Sequence, residues 1–171
     1  AVLTVGISAA GGINAVLENA KNIDGYFSLT SLATPVVDAN GIQQVANGAP
    51  VFGGASSYGL ITILSTLSWG LGYFGVPQVL LRFMAIRKVS ELKKSRRIAT
   101  VWVLISLFAA VAIGVIGRAL MPTEDALLSA GGAENVFVLM AQKLLPAILA
   151  GAVMAGILAA TISSSDSYLL I

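Results

Sequence analysis

Ser68-Trp69-Gly70-Leu71-Gly72-Tyr73-Phe74-Gly75-Val76-Pro77 decides how this chain is read, because it closes a stretch without charge from Ala39 to Leu81 and then meets a cluster of Lys and Arg. A hydrophobic span with three glycines and a proline midway along it is not expected to be a plain helix. Gly adds backbone freedom, and Pro removes an N–H and clashes with the preceding turn. Inside lipid an opened turn is tolerated only where protein or a water-filled cavity supplies hydrogen bonds, so broken helices mark substrate and ion sites in transporters.

The rest of the composition agrees with a lipid setting. The 171 residues are 57% hydrophobic and 11% charged, against about 25% charged in a soluble domain, and the mean hydropathy is +0.89. Four uncharged runs stand out: Ala1 to Leu17, Ala39 to Leu81, Ile98 to Gly117 and Leu144 to Ser165. A spanning helix needs roughly 20 apolar residues, so the last three qualify and the first is slightly short. That first run opens without Met or a basic flank, which argues against a signal peptide and for a helix already under way. With Leu170-Ile171 at the other end and no polar tail, the expectation is a slice of a larger membrane protein.

Cys and His are both absent, which removes disulfides, thiolate chemistry and imidazole metal sites together. The net charge of +2 could suggest nucleic acid, but seven of the ten basic residues (Arg82, Arg87, Lys88, Lys93, Lys94, Arg96, Arg97) lie in one short connection between hydrophobic spans. Positive-inside topology explains that cluster more simply than a nucleic-acid patch does. The basic connection is therefore expected in the cytoplasm, and its neighbours follow.

The expected fold is all-α, a single polytopic membrane domain of about four transmembrane helices, one of them broken. In order along the chain these are a partial spanning helix over 1–17, an external loop over 18–55, the broken helix over 56–81 and the basic cytoplasmic loop over 82–97. A helix over 98–120, an external loop over 121–143 and a helix over 144–171 complete the chain. The first outer loop carries Glu18, Asp24 and Asp38 against Lys21 alone, and the second holds Glu124, Asp125 and Glu134. Within the latter, Val136, Phe137, Met140, Ala141 and Leu144 are spaced for a short helix from Ala133 to Leu145 lying on the outer surface. Pro146 is placed to start the last span, since proline suits a helix's first turn. The apolar runs are too long for strands and do not alternate.

Candidate functional residues fall on two spans. With helical periodicity held through the second, Thr62, Ser65, Trp69, Tyr73 and Pro77 share one face. Trp and Tyr offer stacking surface and one polar atom each, and opened backbone near Gly70, Gly72 and Gly75 would present N–H and C=O groups to a small zwitterion. The plainer alternative is an interfacial aromatic pair with glycines for close packing. In the last span, Ala147, Gly151, Ala155, Ala159 and Ser163 form one small-residue stripe, and Ala152, Gly156, Ala160 and Ser164 a second, a pattern that lets helix backbones approach. Its C-terminal part is richer in oxygen: Thr161, Ser163, Ser164, Ser165, Asp166 and Ser167.

Na⁺ is a hard cation with weak directional demands, so hydroxyls and carbonyls suit it as ligands. Ala160 precedes Ser163 and Ser164 by three and four residues, which places its carbonyl beside both hydroxyls. The alternative is that these hydroxyls bond back to carbonyls one turn earlier. Asp166 is the only acid within a hydrophobic span and thus a functional candidate; near the inward end of its helix it can equally face cytoplasmic water.

Trp69-Gly70-Leu71-Gly72-Tyr73-Phe74-Gly75-Val76-Pro77-Gln78, with Leu81-Arg82-Phe83-Met84-Ala85 after it, closely resembles the sodium:solute symporter family and, within it, the sodium/proline symporters. The resemblance continues through Arg96-Arg97-Ile98, Trp102, Val136-Phe137, Ala141-Gln142 and Gly156-Ile157-Leu158-Ala159-Ala160 to Ser163-Ser164. It implies a LeuT-type inverted-repeat transporter, of which this chain would hold part of the fifth core helix and the sixth, seventh and eighth. It further implies that Trp69, Tyr73 and Pro77 bind substrate, and that Ala160, Ser163 and Ser164 contribute to a sodium site completed from the first core helix. Two positions depart from the family's usual pattern: Ser164 stands where some members have Thr, and Val76 where a polar residue is common.

The function expected is Na⁺-coupled import of a small amino acid, L-proline first, by a multi-pass plasma-membrane carrier whose partners are the solute, the sodium ion and the bilayer, without nucleic acid or covalent chemistry. Rival readings are a symporter for pantothenate, a sugar or a carboxylate, proton coupling through Asp166, a channel subunit, and an intramembrane enzyme with Asp166 as its sole buried candidate.

Overall fold

The computed structural model of the chain describes residues 2–129 and 131–169, and the side chains of all of these except Phe74, Gln78 and Arg82. Ala1, where the first expected span opens, and Leu170 and Ile171, where the last one ends, lie outside the described residues. The chain divides into two compact units: Ala1–Tyr58 with Ala109–Ala152, and Gly59–Phe108 with Val153–Ile171.

In the first unit, α1 (Val2–Ala9) and α2 (Ile13–Lys21) replace the single helix expected over 1–17. Gly11 and Gly12 separate them with φ of +88° and +98°, values that glycine reaches without the Cβ penalty an L side chain would carry. The stretch that follows corrects the all-helical expectation. Two short antiparallel pairings form there: β1 (Ser31–Leu32) with β4 (Ser56–Ser57), and β2 (Val45–Ala46) with β3 (Ala49–Pro50). The second is a hairpin in which Val45 faces Pro50 and Ala46 faces Ala49, joined by Asn47 and Gly48 with φ of +52° and +75°. Positive φ at both central residues of a two-residue loop is the turn whose twist matches paired strands, and Asn-Gly is its preferred sequence.

Beyond α3 (Leu60–Gly72), α4 (Pro77–Met84) and the start of α5 in the other unit, the 109–120 end of α5 (Glu91–Leu120), α6 (Asp125–Leu128), a 3₁₀ turn (Gly132–Asn135), α7 (Val136–Leu144) and the start of α8 (Ala147–Leu169) complete this half. Its core is built from Val16, Ile116, Met121 and Met140. The apolar stripe expected on α7 is present, and it packs against protein. Met140 and Ala141 are fully buried, Met140 packed against α1 and α5, because both of those helices bring a glycine to it. A Cβ on Gly6 would stand 2.9 Å from Ile116 Cγ2 and 3.1 Å from Met140 Cε. A Cβ on Gly117 would overlap the Val136 side chain and reach within 3.1 Å of Met140 Sδ.

Gly117→Ala is therefore expected to push α7 off α5 at a cost of about 1 to 3 kcal/mol, the usual range for overpacking. Thermal unfolding of the full-length protein checks this. Gly114→Ala on the same helix, where an added Cβ meets nothing within 4 Å, should leave the midpoint unchanged or raise it.

Long-range polar contacts hold the non-helical stretch to this core. Arg118 Nε donates to Asn19 Oδ1 at 3.2 Å, and its guanidinium lies 4.6 Å from the centroid of the Phe52 ring, an attractive cation–π arrangement. The Gln43 backbone N–H donates to the Leu128 carbonyl at 2.9 Å. Lys143 pairs with Glu124 across the second acidic connection.

The second unit contains α3 (Leu60–Gly72), a 3₁₀ turn (Tyr73–Gly75), α4 (Pro77–Met84), the 91–108 part of α5 and the 153–169 part of α8. α5 begins at Glu91, several residues before the expected start at Ile98, so much of the basic connection is helical. Among the described residues, α5 and α8 are the two helices long and apolar enough to cross a membrane, and Leu60–Gly72 is a shorter apolar helix. At 1.5 Å per residue α3 spans roughly 20 Å, short of a bilayer's ~30 Å core.

Candidate functional site

The helix interruption expected in the glycine-rich stretch is present, and its position follows from the local sequence. α3 stays helical through Gly70 and Gly72; the ladder changes at Tyr73–Gly75, and Val76 is extended with φ −76° and ψ 118°. Steric conflict with the proline ring drives the preceding residue out of the α region, so Val76 cannot continue the helix. Pro77 then opens α4 at its first position, where the missing N–H costs nothing. Val79 and Leu80 donate backbone N–H groups to the Val76 carbonyl at 3.0 and 3.2 Å, which restarts the ladder. Helix ends leave their terminal carbonyls and amides without partners four residues away, and here two such ends meet inside one apolar stretch.

Trp69 and Tyr73 form an edge-to-face pair with ring centroids 5.7 Å apart and planes at 74°, a favoured aromatic geometry. Trp69 is 74% and Tyr73 52% exposed, so both rings keep most of their surface available. Pro77 is also exposed. On the same face, Thr62 and Ser65 lie earlier along α3, their carbonyls accepting the hydroxyls of Thr66 at 2.8 Å and Ser68 at 2.7 Å. An added Cβ at Gly70, Gly72 or Gly75 meets nothing within 4 Å, so no other described segment approaches the backbone there.

The second set sits on α8. Ser164 Oγ donates to the Ala160 carbonyl at 3.0 Å, Thr161 Oγ1 to Ile157 at 3.0 Å and Ser167 Oγ to Ser163 at 3.0 Å. These are the one-turn back-bonds that Ser and Thr make in membrane helices. The Ser163 hydroxyl makes no hydrogen bond among the described residues, and Ala160, Ser163, Ser164 and Asp166 are all exposed. A back-bond spends a hydroxyl's proton and leaves its oxygen lone pairs available, whereas the Ala160 carbonyl, inside α8, accepts both the helical N–H of Ser164 and its hydroxyl. The hydroxyl oxygens thus fit a hard cation chemically. Gly151 and Gly156, within the small-residue stripes, also face open space.

The structure therefore brings Trp69 to Tyr73 and Ser164 to Ala160. No hydrogen bond or ring contact among the described residues joins the two sets. Pairings four residues apart in one helix follow from periodicity; the stacking of Arg118 on Phe52 was not anticipated, and nothing in the local sequence of either residue signals it.

Comparison with known proteins supplies the remaining context. The family model described as the sodium:solute symporter family matches residues 2–171. A Staphylococcus saprophyticus protein named sodium/proline symporter 2 is 37% identical over 143 residues, covering 80% of this chain and 27% of its own length. A Staphylococcus aureus (strain USA300) protein named sodium/proline symporter is 40% identical over 111 residues, covering 65% of this chain and 21% of its own length. The chain spans about a quarter of the length of the curated relatives it matches. No solved structure matches it.

Proposed function

This chain belongs to the sodium:solute symporter family, and on that premise we propose that it forms part of a sodium-coupled secondary transporter importing a small amino acid, L-proline before other solutes, across the plasma membrane. Trp69, Tyr73 and Pro77 contact the solute at the interrupted helix, and Ala160, Ser163 and Ser164 supply oxygen ligands to Na⁺. The architecture is the inverted repeat of LeuT-type carriers, with α3 and α4 as the two halves of one broken core helix and α8 as the core helix that carries the ion ligands.

The observation that supports this reading most directly is the break at Tyr73–Val76 beside two largely exposed aromatic rings. A zwitterion offers a carboxylate and an ammonium group to the amides and carbonyls of opposed helix ends, and an apolar body to the rings. The relatives named as sodium/proline symporters support the choice of ion and of solute. Coupling then requires only that Na⁺ and solute each bind one conformation better than the other, by a free energy typically about 1 to 3 kcal/mol. Na⁺ on α8 favours the outward-open state in which solute reaches Trp69 and Tyr73.

Uptake of radiolabelled proline by vesicles containing the full-length protein tests the proposal. An inward Na⁺ gradient should drive accumulation above equilibrium, and replacing Na⁺ by K⁺ should abolish it. Accumulation that follows pH and ignores Na⁺ would instead assign coupling to a proton and to Asp166. Na⁺-driven uptake of a different solute with none of proline would keep the ion and discard the amino acid.

A further inference from the structure

The cleft between α4 and α5 is lined by none of the residues assigned to solute and ion. It is an open groove of about 730 Å³, lined by Val79 and Phe83 from α4 and by Lys93, Arg96, Thr100 and Leu104 from α5. Along α5 these residues recur at three- and four-residue intervals and so share a face. Their chemistry changes in order: two cations, then a hydroxyl one turn further, then the aliphatic wall completed by Val103. From Lys93 to Leu104 the helix rises about 16 Å. Charge ends at Arg97, and no charged residue follows until Arg118, so the boundary between headgroups and hydrocarbon falls within the length of the cleft.

Lys93 and Arg96 are exposed, and the one ion pair among the described residues is Lys143 with Glu124, so no described acid neutralises either cation. Glu91, the sole acid of the basic connection, lines a different groove together with Lys94 and Trp102. We infer that this cleft binds an anionic phospholipid of the cytoplasmic leaflet, with its phosphate on Lys93 and Arg96, its glycerol backbone near Thr100 and an acyl chain along Phe83, Val103 and Leu104. The order of charge, hydroxyl and hydrocarbon matches that amphiphile from head to tail, whereas a soluble anion would leave the apolar wall bare. Cations just inside the cytoplasmic end of a spanning helix attract such lipids.

Native mass spectrometry of the full-length protein, titrated with phosphatidylglycerol or with phosphatidylcholine of the same chains, tests the assignment. Lys93→Gln with Arg96→Gln should weaken phosphatidylglycerol retention roughly ten- to thirtyfold, as expected for two lost cations. Arg87→Gln with Lys88→Gln, an equal charge change outside the cleft, should leave retention near wild type, and phosphatidylcholine should bind weakly throughout. Equal retention by the cleft variant, equal loss in both variants, or displacement by inorganic phosphate would overturn the inference. A photoreactive phosphatidylglycerol in native membranes should label peptides within 79–104; labelling confined to other regions would show that the remainder of the polypeptide fills the cleft, and would overturn it too.

Discussion

Replacing Ser163 and Ser164 together by Ala is expected to raise the Na⁺ concentration for half-maximal uptake at least about a hundredfold while leaving the amount of protein in the membrane nearly unchanged. Each hydroxyl oxygen facing a cation is worth roughly 1.5 to 3 kcal/mol, and every 1.4 kcal/mol is a factor of ten in affinity. The two effects separate cleanly because neither side chain supports the fold. Both are exposed, the Ser164 hydroxyl bonds only within its own helix, and Ala is the better helix former. Linkage adds an internal check: if Na⁺ and solute assist one another, a loss of Na⁺ affinity must appear as a loss of solute affinity at fixed Na⁺. Unchanged Na⁺ dependence in the double variant would remove these hydroxyls from the ion site.

How much of this was legible beforehand depended on how local the cause was. α5 and α8 are plain in the sequence because uninterrupted apolar runs of spanning length leave few other solutions. The break in the second run was also legible, although of its three glycines only Gly75 lies where it occurs. Gly70 and Gly72 remain helical, and the steric rule for the residue before Pro77 places the extended backbone at Val76. Asn47-Gly48 is a strong hairpin signal, but a reading by long apolar runs passes over a turn between two-residue strands.

The case of α7 is different in kind. Its periodicity was visible, yet whether that stripe meets lipid or protein depends on Gly6 and Gly117, each brought in by another helix. The same holds for Arg118, whose partners Asn19 and Phe52 belong to distant segments. Within the candidate site, the pairs Trp69 with Tyr73 and Ala160 with Ser164 could be read from spacing because one helical turn creates each of them. Whatever joins the aromatic pair to the hydroxyls depends on how separate helices meet, and spacing within one helix carries no information about that.

Trp69→Ala should raise the solute concentration for half-maximal uptake roughly ten- to a hundredfold, the range for truncating an aromatic anchor in a binding pocket. The indole presents most of its surface outward and is held at a fixed angle by the Tyr73 ring, so it meets an apolar ligand body with little rotamer entropy left to lose. Removing it also releases Tyr73 from its edge-to-face partner, which places the expected effect toward the upper end of that range. Because the contact is made with bound solute rather than with a moving charge, the maximal rate should fall much less than the affinity. Trp69→Phe separates the two functions of the side chain: it keeps a ring against Tyr73 and removes the N–H donor, so it should recover most of the affinity if stacking dominates and little if the indole hydrogen bond does. Na⁺ dependence measured at saturating solute should stay close to wild type in both variants, since Trp69 lies on α3 and the proposed ion ligands on α8. An unaltered half-saturation value in Trp69→Ala would exclude the indole as a solute contact, and with it the reading of the interrupted helix as the place where solute binds.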